Sequence, residues 1–230
     1  MAEKRESLYR QVGDVKIYAH AHQGLRTYKE DRALYIKDFN YLIPGANDDS
    51  HVRRSLVCIF DGHGGSLASD FLAQRFPKEL AGHRAIRTDP VMALKDTWRT
   101  MDTLLLEHCE QWMKRMGAGQ GALPCDGSTA TVALIANDII YVTNCGDSQC
   151  YASLVQPGKD GITPFPKEYQ REPYLCLTEK HTTTNAEEVA RVTTSGARVE
   201  VHGSRGWCIR LCGGLHSPVP RVYPGGLAIT

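Results

Sequence analysis

Apolar residues recur along this chain in two rhythms, and each rhythm predicts a different element. Val15 to Ala21 alternates as a strand does, and Gly24-Leu25-Arg26 then turns the chain. Ala33-Leu34-Tyr35-Ile36 resumes a strand, and Gly45 to Ser50 reads as an exposed loop. Leu56-Val57-Cys58-Ile59-Phe60 has the length and apolar character of a core strand. It runs into Asp61-Gly62-His63-Gly64-Gly65, after which Ser66 is placed to cap a helix through about Phe76 that buries Phe71, Leu72 and Phe76. From Asp89 to Met116 the period changes to three and four residues. Val91, Leu94, Trp98, Met101, Leu105, His108, Trp112 and Met116 mark one long amphipathic helix, its Met and Trp stripe read as core packing.

A loop over 117–127 leads to a second strand pair. Thr129 to Ala136 and Ile139 to Cys145 flank Asn137-Asp138, a hairpin signal. Gly146-Asp147-Ser148 turns into another strand, Cys150 to Val155, and the Pro-, Gly- and charge-rich stretch Gln156 to Pro173 reads as an inserted surface loop. Thr184-Asn185-Ala186-Glu187-Glu188 opens a helix that runs to about Ser195, with Gly196 as its stop. Strands that pair with sequence neighbours, with helices gathered in blocks, predict an α+β fold or a sheet sandwich flanked by helices. They do not predict a parallel doubly wound sheet.

Composition narrows the functional classes. With 27 Lys plus Arg against 26 Asp plus Glu, the net charge of +1 gives no electrostatic reason to expect nucleic acid or membrane binding. No stretch approaches the ~20 apolar residues of a membrane span, and Met1 to Glu6 lacks the apolar core of a signal peptide. Residues 1–12 read as a flexible leader and 13–230 as one domain. The eight cysteines form no Cys-x-x-Cys pair, and those in apolar runs (Cys58, Cys145, Cys176) read as small buried hydrophobes in a reducing compartment. The expectation is a monomer in the cytoplasm, the nucleus or both.

The chemistry lies in the acidic residues at strand ends. Asp61 ends a core strand, Asp147 sits in a Gly-Asp-Ser turn after another, and Glu30-Asp31 lies between two strands. Carboxylates at the ends of adjacent strands can converge on a hard cation, which prefers oxygen ligands and retained water. Any one of them alone is more often a turn-former. Their company with Arg26 and His63 is what turns the pattern toward catalysis.

These residues resemble the metal-dependent protein serine/threonine phosphatases, historically called type 2C. The blocks that carry the resemblance are Arg26-x-x-x-Glu30-Asp31, Phe60-Asp61-Gly62-His63-Gly64-Gly65, Asp126-Gly127-Ser128-Thr129-Ala130 and Asn144-Cys145-Gly146-Asp147-Ser148. Leu177 to His181 with Asn185, Glu188 and Arg191, and Arg221 to Ala228, resemble two later family segments in the same order. The resemblance implies a four-layer αββα sandwich of two antiparallel sheets flanked by helices, here incomplete at its C-terminal end. It also implies a cleft holding two Mg²⁺ or Mn²⁺ ions, and phosphoprotein substrates hydrolysed by a metal-bridged hydroxide. By position, Asp61 would bridge the ions, the Gly62 carbonyl would bind one, and Glu30 would reach that ion directly or through water. Asp31 would orient outer water, Arg26 would hold the phosphate, and His63 would protonate the leaving oxygen. Asp147 would be a candidate ligand for a weaker third ion.

General chemistry agrees with those assignments. Two cations make hydroxide available near neutral pH and, with an arginine fork, neutralise the phosphoryl oxygens. An imidazole with an ordinary pKa of ~6.5 suits the protonation of a poor leaving group. A rival signal, Cys109 to Arg115 in the Cys-x5-Arg spacing of cysteine-nucleophile phosphatases, falls inside the predicted long helix without a glycine and next to Glu110. It reads as coincidence. The chain stops at Leu227-Ala228-Ile229-Thr230, inside what reads as a buried strand, before the family's remaining acidic ligands. As it stands it is expected to be weakly active or inactive. The alternative is a pseudophosphatase, or a short form that binds partners without turnover.

Overall fold

The computed structural model describes residues 15, 17–46, 51–117, 126–153, 155–156, 163–164, 174–196, 198–201 and 220–223. They fall into two compact units, Met1–Tyr141 and Val142–Thr230, each taken by itself below. The first is built on a sheet of β1 (Arg32–Ile36), β2 (Arg54–Phe60), β5 (Ala130–Ala136) and β6 (Ile139–Cys145), in the order β1-β2-β5-β6. β2 runs antiparallel to both β1 and β5. Between them in sequence, the two-residue strands β3 (Gly62–His63) and β4 (Gly127–Ser128) pair with each other.

One sheet face is closed by two helices, α1 (Leu67–Gly82) and α2 (Pro90–Arg115). Leu56, Cys58 and Phe60 from β2 and Ala130, Val132 and Leu134 from β5 point into this core with Phe76, Leu80, Leu94 and Met101. Alternation along β2 explains the selection, since Val57 and Ile59 face the other way and Ile59 stays 40% exposed. Aromatic contacts join the layers: Phe76 meets Phe60 edge-on at 6.3 Å and Trp98 at 4.4 Å.

The predicted helices form, with differences in the extent of the first and the buried side of the second. α1 continues past Phe76 through Pro77 to Gly82, because Leu80 and Ala81 add to its buried face. α2 has Asp89 as its cap, accepting the Met92 amide at 2.9 Å, with Pro90 in the first turn where no N–H is needed. Its buried side is Ala93, Leu94, Thr97, Met101 and Cys109, while Val91 and Met116 are exposed. Cys109 lies mid-helix, and burial raises its thiol pKa, which disposes of the Cys-x5-Arg reading. The strand expected over Val15–Ala21 does not form among the described residues. Tyr18 to Ala21 are exposed and no neighbouring ladder satisfies their backbone, and alternation alone does not make a strand.

The Asn137-Asp138 turn is as expected, with Asn137 at φ 53°. Its side chain also accepts the Arg53 amide at 2.9 Å, tying the hairpin to the start of β2. In the second unit β7 (Tyr151–Ser153) pairs antiparallel with β10 (Tyr174–Cys176). The stretch expected as a bare loop begins with a short ladder, β8 (Val155–Gln156) on β9 (Thr163–Pro164). The rest of Gln156 to Pro173 lies outside the described residues. α3 (Ala186–Thr194) starts at Asn185, which accepts the Glu187 and Glu188 amides, and β11 (Arg198–Val201) pairs with β12 (Pro220–Tyr223). Leu227–Thr230 and residues 1–12 also lie outside the described residues. Cys58 is buried as expected, but Cys145 and Cys176 are exposed, because their strands lack a covering layer among the described residues.

Candidate active site

The corner at the end of β2 is held by backbone before any side chain acts. At Asp61 the ladder breaks. The Asp61 carbonyl accepts the Thr129 amide at 2.9 Å, and the Asp61 amide donates to the Thr129 hydroxyl at 3.2 Å. Gly62 then pairs with Ser128 and His63 with Gly127. The Asp-Gly-His and Asp-Gly-Ser-Thr blocks are thus one piece of structure. Asp61 is exposed at this rim, Gly62 is buried and His63 is half-buried.

Gly62 has a specific reason to be glycine. A Cβ there would lie 2.4 Å from the Glu30 carbonyl oxygen and 2.8 Å from the Ser69 hydroxyl oxygen. The Glu30 backbone therefore presses on the residue next to Asp61, and two segments far apart in sequence meet at this point. Ser69, fully buried in α1, donates to that same Glu30 carbonyl. Gly65 has φ +143°, and a Cβ on it would collide with the Asp126 carboxylate.

Asp126 corrects the expectation about the α1 cap. Its carboxylate accepts the Leu67 amide at 3.0 Å, whereas the Ser66 hydroxyl donates to Asp70 and does not cap. A carboxylate from a residue distant in sequence suits a helix N-terminus as well as a local serine does. Sequence reasoning also passed over Arg32, whose guanidinium grips Asp70 and the Lys29 and Asp31 carbonyls. Its signal was its position directly after Glu30-Asp31. Partial burial works to raise the Asp70 pKa, but hydrogen bonds from Arg32 and Ser66 and the Arg32 charge outweigh it and hold the carboxyl low.

Arg26 sits in a turn where its amide donates to the Gln23 carbonyl at 3.4 Å and its own carbonyl accepts from the Gln23 side chain, leaving the residue exposed. Asp31 is exposed and Glu30 half-buried. Asp147 belongs to the second unit, in a turn with Gly146 at φ +111°. The Gly146 carbonyl accepts from Asn144 at 2.9 Å and from the His181 amide at 3.1 Å, and its amide donates to His181 Nδ1 at 3.2 Å. Behind His181, Glu188 is buried and bonded to Arg191. Those hydrogen bonds lower the Glu188 pKa against the opposing effect of burial, with the His181 and Arg191 charges adding to them. The segment Leu177 to His181, with α3, thus holds the Asp147 turn.

In kind, the donors at the first corner fit a hard cation: the Asp61 carboxylate, the Gly62 carbonyl and Glu30 are all oxygen ligands. Among the described residues, no group of three or more His, Cys, Asp or Glu side chains assembles to hold a metal ion.

Comparison with solved structures gives the fold. The chain superposes on a serine-threonine phosphatase 2C from Toxoplasma gondii with a TM-score of 0.58 at 22% identity, covering 87% of this chain and 57% of that one. A sex determining protein of C. elegans gives a TM-score of 0.56 at 23% identity over 90% of this chain and 41% of that one. The fold is the α+β fold of these proteins. In sequence, residues 15–216 match the protein phosphatase 2C family, and the chain belongs to that family. Among its relatives, the integrin-linked kinase-associated serine/threonine phosphatase 2C of Mus musculus is 28% identical over 190 residues, which is 80% of this chain and 44% of that protein. Protein phosphatase 1F of Mus musculus is 29% identical over 182 residues, 79% of this chain and 34% of that protein. The chain spans less than half the length of these relatives.

Proposed function

We propose that this chain carries the substrate-holding and proton-transfer half of a Mg²⁺- or Mn²⁺-dependent phosphatase site acting on phosphoserine and phosphothreonine in proteins. The observation that supports this most is the close approach of the Glu30 backbone to Gly62, which sets a second carboxylate segment beside Asp61. Asp61, the Gly62 carbonyl and Glu30 would hold the cation. Bound divalent ions supply Lewis acidity that lowers the pKa of coordinated water and neutralises phosphoryl charge.

The chain's own residues do the rest. The exposed Arg26 guanidinium offers two parallel N–H donors to phosphoryl oxygens. His63, one residue past Gly62 and fixed by its pairing with Gly127, donates a proton to the departing serine or threonine oxygen. Asp31 orients water beside Glu30. Asp147 is kept as a ligand candidate for a further ion, on the strength of its rigidly held turn. A monomer in the cytoplasm or nucleus is part of the proposal, and the unpaired thiols of Cys58, Cys109, Cys150 and Cys176 support the reducing compartment. No helix among the described residues is long and apolar enough to cross a membrane.

A second reading is a domain that binds phosphoproteins without turnover, and the incomplete set of assembled carboxylates favours it. Phosphate release from a phosphothreonine peptide separates the two. The phosphatase reading expects slow, Mn²⁺-dependent release, reduced ~100-fold or more in His63→Ala through loss of the general acid. Saturable peptide binding with no release, unaffected by Mn²⁺, supports the binding module and overturns the phosphatase reading.

A further inference from the structure

Three consecutive carbonyls lead into β1, and each is held. Arg32 Nη1 donates to the Lys29 carbonyl at 3.0 Å and to the Asp31 carbonyl at 2.9 Å, and the Ser69 hydroxyl takes the Glu30 carbonyl between them. The other edge of the same guanidinium lies on Asp70 in α1, with Nε at 2.5 Å from one carboxylate oxygen and Nη2 at 3.1 Å from the other. Asp70 is braced in turn by the Ser66 hydroxyl at 2.8 Å. A single side chain therefore fastens both neighbours of Glu30 to the helix that also carries Ser69. The Glu30 carbonyl is the atom that lies against Gly62.

The energetics favour a positional role over a stabilising one. The Arg32 and Asp70 side chains are 32% and 40% exposed, and an ion pair at such a site contributes little to global stability. The geometry uses four donor contacts of a planar fork, which a lysine ammonium cannot reproduce. We propose that Arg32, resting on the cation reading of Asp61, Gly62 and Glu30 given above, is the positioning residue of that site. It sets where the Glu30-Asp31 backbone stands relative to Gly62, and Asp70 is its anchor.

The test is Mn²⁺ titration by calorimetry on the 230-residue chain, with hydrogen exchange of the segment around Glu30 as a second readout. Arg32→Met and Arg32→Lys are expected to weaken Mn²⁺ binding about tenfold, the scale of losses from residues that orient metal ligands. Both should also speed amide exchange at Asp31 and Arg32. Asp70→Glu, which keeps the anchor, is expected to retain the parent affinity. Arg75→Met removes a comparable exposed pair on the same helix, Arg75 with Glu79, and should change neither readout. Parent-like Mn²⁺ binding in Arg32→Met, with binding lost in Asp61→Asn, overturns the role of Arg32 alone. Parent-like Mn²⁺ affinity in Asp61→Asn, or no Mn²⁺ binding to the parent, overturns the cation reading and the proposal with it.

Discussion

The two aspartate turns, Asp61 in the first unit and Asp147 in the second, carry the same local signal. Each follows a strand and sits beside a glycine. They are held in opposite ways. The Asp61 corner is fixed by main chain: a ladder break at Thr129, a two-residue pairing with Gly127-Ser128, and the Glu30 carbonyl pressed on Gly62. The Asp147 turn rests more on side chains, with the Asn144 amide and His181 Nδ1 on Gly146 beside one backbone bond from the His181 amide, and Glu188 and Arg191 behind them. A backbone-built corner tolerates no added atom, while a side-chain-built turn can be loosened one group at a time.

Substitutions can break this contrast in graded steps. Gly62→Ala should have the largest effect, because the new methyl meets a backbone carbonyl that cannot rotate away. Overpacking of this kind costs about 3 kcal/mol, and thermal unfolding should show a Tm lower by about 10 °C. A parent-like Tm would mean that the Glu30 segment is not pressed on the corner. Asn144→Ala should cost about 1.5 kcal/mol through the loss of its two bonds, since the Gly146 carbonyl keeps the His181 amide and Glu179 is exposed to water, read from denaturant unfolding. Asp126→Ala should cost about 1 kcal/mol as a lost helix cap, whereas Ser66→Ala should leave the cap intact.

Much of this was legible beforehand. Leu56 to Phe60, the hairpin at Asn137, the helix starts near Asp89 and Asn185 and the Gly196 stop are local signals, and local chemistry decided them. The backbone of the corner was legible because a core strand runs straight into Asp61-Gly62-His63 and its glycines. The contacts that fix it were not. Arg32 with Asp70, Ser69 with Glu30 and Asp126 with Leu67 span 38, 39 and 59 positions. No periodicity encodes such distances. Val15–Ala21 failed for the complementary reason, since alternation offers a strand but only a partner makes one. The helix read as ending near Phe76 runs on to Gly82, because the burial of Leu80 and Ala81 outweighs the one hydrogen bond lost at Pro77.

The smallest expected effect concerns pH. The Asp70 pKa is held below its unfolded value, where Asp titrates near ~3.9, so its contribution to stability is fully present above that pH. It is lost as pH falls through the folded pKa. The Tm difference between parent and Asp70→Asn should accordingly be small at pH 6 and shrink away as pH falls through the lowered folded pKa of Asp70. A difference that persists in acid would show that Asp70 acts other than through its charge.

The central claim is that Asp61 anchors a divalent-cation site on this chain. It is tested most directly by titrating Mn²⁺ into the parent and into Asp61→Asn under identical conditions. The account predicts saturable binding to the parent that weakens by tenfold or more in Asp61→Asn, on the scale expected when a ligand charge is removed. Superimposable isotherms for the two proteins would contradict it.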